Sequence, residues 1–101
     1  MNEGSIQLFK LDNTNGRGLS FHGWCIGSYK ERTPSAFIML DIYLTIRGAV
    51  ICTAQYRSPG IYENKAVEIN SVDELFRFFG FGEVANNLYK KIGLSPYRWI
   101  E

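Results

Sequence analysis

Acid–base, thiol or metal chemistry needs histidines, cysteines or carboxylates brought together, and this sequence holds one histidine and two cysteines. The candidate partners of His22 are Cys25, Asp41 and Cys52, none at a spacing used by metal sites or nucleophile–base pairs. Cys25 and Cys52 read as small core hydrophobes on neighbouring strands, with no base in view to stabilise a thiolate. Paired carboxylates, a glycine-rich loop opening a helix and a G-x-S-x-G elbow do not occur. Gly80-Phe81-Gly82 lies between two helical patterns and reads as a cap and hinge. The expectation is a non-enzymatic domain with no catalytic residue, metal or cofactor.

Nucleic-acid chemistry would need cations and stacking aromatics. The stretch Arg17-Gly18-Leu19-Ser20-Phe21-His22-Gly23-Trp24 starts like the RNA-reading strand of an RRM. Leu19 stands where the first stacking aromatic belongs, and the helical patterns follow the strands rather than alternate with them. The stretch therefore reads as a half-buried strand. Aromatic–basic neighbours recur at Tyr29-Lys30, Tyr56-Arg57 and Tyr97-Arg98-Trp99, which strand alternation produces unaided. A net charge of +1, with acids and bases interspersed, lacks the basic excess of a nucleic-acid footprint. Single-stranded nucleic acid ranks third among the partners, and would require Arg17, Arg47 and Arg57 to share one exposed face.

The elements that must position any site follow from periodicity. Residues 6–11, 19–29 and the pair 37–46 and 50–58 alternate as strands, with Asn15-Gly16 and Gly48 at turns. Gly23 and Gly27 mark a bulge or close approach. In the long hairpin, Ile38, Leu40, Ile42, Leu44 and Ile46 share one face, and Val50, Cys52, Ala54 and Tyr56 share another. The two faces coincide only across an odd-numbered loop, which predicts three or five residues around Gly48, Ile46 opposite Val50 and Leu44 opposite Cys52. The other face carries Met39, Asp41, Tyr43 and Thr45 beside Ile51, Thr53, Gln55 and Arg57, a mixed surface. Residues 58–65 read as a loop and 66–70 as a short strand. Ser71-x-x-Glu74 forms a capping box ahead of Val72, Leu75, Phe76 and Phe79. A second helix spans about 83–92, and Ser95-Pro96 opens a final turn. The result is a single α+β domain over residues 1–101, an antiparallel sheet of about five strands with two to three C-terminal helices packed on one face.

The absence of a membrane-length apolar stretch or signal segment, together with two unpaired cysteines, predicts a cytoplasmic protein. Its half-buried aromatics suggest work by contact. The expected function is a small accessory, inhibitor or adaptor that binds a protein partner or itself through Tyr43, Arg57, Phe78, Phe81 and Trp99. The alternative is a small-molecule pocket between sheet and helices, lined by Trp24, Tyr56 and Phe76.

Phe21-x-Gly23, the strand LDIYLT with Gly48, Tyr56-Arg57-Ser58 and Ser71-x-x-Glu74-Leu75 together resemble a group of small, uncharacterised bacterial β-rich proteins. The likeness covers about residues 21–80 and implies an α+β accessory domain. It carries no activity and no site residue.

Overall fold

The computed structural model describes residues 5–95. Five strands form one antiparallel meander, β1 (Gln7–Leu11), β2 (Leu19–Arg32), β3 (Phe37–Thr45), β4 (Val50–Ser58) and β5 (Ile61–Ile69), in spatial order β1-β2-β3-β4-β5. Two helices follow, α1 (Val72–Phe79) and α2 (Glu83–Ile92). This is the expected α+β architecture, with the sheet curled into a half-barrel. Among the described residues no helix is long and apolar enough to cross a membrane. The turn expected from Ser95-Pro96 onward and Trp99 lie outside them.

The β3–β4 hairpin closes through the three residues Ile46-Arg47-Gly48. The Thr45 amide donates to the Ala49 carbonyl (2.9 Å), and the Thr45 hydroxyl accepts from the amides of Arg47 and Ala49. Gly48 takes φ +88°, a conformation glycine adopts without penalty. The two apolar faces do coincide, but Leu44 rather than Ile46 pairs with Val50, and Ile42 rather than Leu44 pairs with Cys52. The Thr45 hydroxyl and Gly48 close the turn one residue pair earlier than expected, so Ile46 leaves the ladder and stands 56% exposed.

Two strands are longer than their apolar patterns. β2 continues through Lys30, Glu31 and Arg32, because the Thr33 hydroxyl captures the amides of Ser35 and Ala36 and holds a tight return. The segment read as a loop over 58–65 is only a turn at Pro59-Gly60, and β5 already starts at Ile61. Gln55 pairs with Asn64 and Arg57 with Tyr62, so backbone bonds rather than hydrophobic alternation define this half of β5.

Curvature comes from β2. A Cβ on Gly23 would lie 2.0 Å from the Leu44 carbonyl oxygen, so the strands meet there at a distance only glycine permits. Just beyond, Ile26 is an extra residue in the ladder with β3, a bulge that increases local twist. The β1–β2 loop then reaches across to β5: the Thr14 amide donates to the Asn64 carbonyl, the Asn64 amide to the Thr14 hydroxyl, and Asn13 Nδ2 to the Ala66 carbonyl. The sheet thus has a concave face, partly closed on itself, and a convex face.

The helices cover the convex face. Leu40, Ile42, Cys52 and Ile69 pack against Leu75, Ala85, Leu88 and Tyr89, with Cys52, Leu88 and Tyr89 fully buried. Burial of a side chain such as Leu88 stabilises by about 1.5–3 kcal/mol. Ser71 caps α1 by accepting from the Glu74 amide (3.2 Å), while the Glu74 carboxylate accepts from the Asn70 amide (3.1 Å). The Tyr89 hydroxyl donates to the Gly80 carbonyl at the end of α1, tying the two helices together.

Candidate functional site

The mixed face of the hairpin is an interior. Because β1 and β2 curl over it, the rings of Phe9, Phe21 and Tyr43 cluster on the concave face with centroids 4.7 to 5.6 Å apart. Asp41, Tyr43, Ile51 and Thr53 are all buried there. Tyr43 is therefore a core residue and not the surface contact expected for it. Its hydroxyl donates to Asp41 at 3.5 Å. The Asp41 carboxyl is held above its ordinary value by loss of solvent, with Ser28, Tyr43 and Lys30 pulling the other way. The Thr53 hydroxyl lies near the Tyr43 phenol without completing a hydrogen bond.

Toward its open end this trough becomes polar. A cavity of about 130 Å³ is lined by Lys10, Asp12, Thr53, Arg57, Tyr62 and Asn64, among others. Arg57 donates to Gln55 Oε1 at 2.9 Å and lies 4.0 Å from the Tyr62 ring centroid. Hydrogen bonds from Asn64 and then Arg57 hold the Tyr62 phenol below its ordinary value. A second, wider cavity of about 570 Å³ shares Gln55 and Arg57 and adds Arg32, Phe37 and Met39.

A separate concavity is apolar. It opens where the seam between sheet and helices meets the β3–β4 turn, with a volume of about 510 Å³. Ile42, Val50, Ile69 and Leu75 form its floor, and Ile26, Val72, Ile92 and Leu94 its walls. Ile26 and Val72 are 54% and 49% exposed, although both are large aliphatic side chains. Ile26 projects because it is the bulge residue. Val72 projects because it opens the first turn of α1, beyond the end of the sheet.

The expected contact residues do not form one surface. Arg57 belongs to the polar trough, Phe78 is half-buried against Phe79, and Phe81 is exposed but stacked on Phe76 at 5.3 Å. Trp99 lies outside the described residues. Nor do Trp24, Tyr56 and Phe76 converge. Trp24 pairs with Leu44 and Tyr56 with Ile38, at opposite ends of β3, while Phe76 packs edge-on to Tyr89. Arg47 lies in the β3–β4 turn and Arg57 near the far end of β4, so Arg17, Arg47 and Arg57 do not gather in one patch.

His22 is exposed, opposite Leu8. Cys25 is exposed, contrary to its expected core position, and β3 separates it from the buried Cys52. Partial loss of solvent around its sulfur and then the Asp41 charge push the Cys25 thiol up, and burial pushes Cys52 up to about 12. Neither is an activated thiolate. Among the described residues no group of three or more His, Cys, Asp or Glu side chains is placed to hold a metal ion.

The groove residues carry a faint signal in the sequence. Ile26 is the apolar residue out of phase between Cys25 and Gly27, and Val72 is an apolar residue at a helix start. In comparisons with known proteins, no family model, no curated protein and no solved structure matches the chain.

Proposed function

We propose that this domain is a non-enzymatic interaction module, an accessory, inhibitor or adaptor, that docks a protein partner in the apolar groove between the β3–β4 turn, the end of β5 and the two helices. The observation that carries this reading is the exposure of Ile26 and Val72 on the walls of a groove whose floor is continuous with the core. Aliphatic side chains held half in solvent around a preformed concavity gain free energy when a complementary apolar surface covers them, at roughly 25 cal/mol per Å². The groove suits a partner segment presenting two or three apolar side chains, a second copy of this chain being one such partner.

A second reading rests on the same cavity. Its volume lies within the range of about 300–1,000 Å³ that small-molecule sites occupy, so an apolar small ligand is the alternative occupant.

The substitution Val72→Glu separates docking from folding. A carboxylate in the first turn of α1 complements the helix dipole, so the fold is retained while the groove wall becomes charged. Tagged wild-type and Val72→Glu proteins are passed through nuclease-treated lysate, and sedimentation velocity tests self-association. The reading predicts a stoichiometric protein, or a wild-type dimer, that Val72→Glu loses. Equal retention by both proteins, or a wild-type monomer that captures nothing, would overturn it.

A further inference from the structure

We propose that the open end of the concave trough, on the opposite face of the sheet from the groove, binds a small organic anion. An oxyanion head would occupy the smaller cavity, and an apolar or aromatic body would lie over Phe37 and Met39 in the wider one. Charge is the first argument. Arg57 presents its guanidinium to the smaller cavity, whose lining holds one carboxylate, Asp12, while Lys10 and Lys65 line it from strand positions whose side chains alternate to the other face of the sheet. Among the described residues Arg57 makes no ion pair.

Preorganisation is the second argument. Arg57 is held from two sides, by its bond to Gln55 and by the Tyr62 ring, so its guanidinium is presented with little side-chain entropy left to lose. A fixed planar fork is the geometry that carboxylates and phosphates accept two at a time. Asn64 is buried, and its backbone is bonded to Thr14, so the wall of the cavity is built rather than a chance meeting of surface chains.

Size is the third argument. A cavity of about 150 Å³ holds a benzene-sized group, so 130 Å³ accepts a carboxylate or phosphate head but not a larger ligand entire. Arg57 and Gln55 stand in the wall common to both cavities, which directs the remainder of the ligand across them. There Arg32 lies 4.7 Å from the Phe37 ring centroid, offering a second cation beside an apolar floor. Carboxylate and phosphate share this chemistry, and the experiment separates them.

The test is a titration of isotope-labelled protein followed by backbone amide NMR, with benzoate, phenyl phosphate, inorganic phosphate and the uncharged benzamide as probes. Saturable shifts are expected at Arg57, Tyr62 and Asn64 with benzoate or phenyl phosphate, the tighter of the two identifying the head group. Inorganic phosphate is expected to bind more weakly, for want of the ring contact, and benzamide not to saturate. Arg57→Gln, with its spectrum otherwise native, is expected to weaken binding at least tenfold, and Arg57→Lys to restore only part of the loss. Shifts that never saturate, equal binding of benzamide, or affinity indifferent to Arg57→Gln would overturn the proposal.

Discussion

Replacing Gly23 with alanine tests whether close approach of β2 to β3 is what curls the sheet. The added methyl would stand 2.0 Å from the Leu44 carbonyl oxygen and 2.8 Å from the Thr45 Cα. A comfortable carbon–oxygen contact is about 3.3 Å, so backbone must move by more than about 1 Å. Overpacking of this kind costs about 1–3 kcal/mol, and loosening one ladder hydrogen bond about 0.5–1.5 more. The expected loss is about 2–4 kcal/mol, a large part of the roughly 5–15 kcal/mol that stabilises a small domain. Urea unfolding followed by far-UV circular dichroism measures it, and the near-UV signal follows the Phe9–Phe21–Tyr43 cluster. Gly82→Ala is the control: a Cβ there meets nothing within 4 Å and φ is −69°, so its cost is below about 1 kcal/mol. If Gly23→Ala unfolds within about 0.5 kcal/mol of the wild type and keeps its near-UV signal, the curl has another cause.

Asp41 predicts a pH dependence. Its pKa is raised in the folded state above the ordinary 3.8, so the native protein binds more protons and stability falls as pH rises from that value through the raised one. Denaturant melts across this window should show Asp41→Asn losing less stability than the wild type; parallel curves would contradict the assignment. Ile46→Thr probes the hairpin register, because an exposed turn residue is worth no more than about 0.5 kcal/mol, whereas a ladder position facing Val50 would cost more. The two cysteines differ in access. One thiol per chain is expected to react with a disulfide reagent in the native state, slowly near neutral pH, and the second only on unfolding.

The capping box at Ser71, the helix stop at Gly80 and the odd-numbered loop at Gly48 were legible because each is a local rule written in a few adjacent residues. The first half of β5 was not, since Tyr62-Glu63-Asn64-Lys65 shows no apolar alternation and is held by pairing with a strand whose position depends on the curl. The burial of Tyr43 and Asp41 was illegible for the same reason. A hairpin pattern tells which residues share a face. Whether that face meets solvent depends on Gly23, the bulge at Ile26 and the Thr14–Asn64 clip, contacts between segments up to fifty residues apart. Tyr56-Arg57 reads as an aromatic–basic pair, yet curvature places the arginine in the trough, where it stacks on Tyr62.

Whether the groove is the docking surface is tested most directly by hydrogen–deuterium exchange on the wild-type protein with and without the partner it captures. Slowed exchange is expected at the β3–β4 turn around Gly48, at Glu68 to Val72 and around Ile92 to Leu94, the segments that border the groove. Protection confined to the concave trough or to the β1 edge, with those three segments unchanged, would contradict this reading.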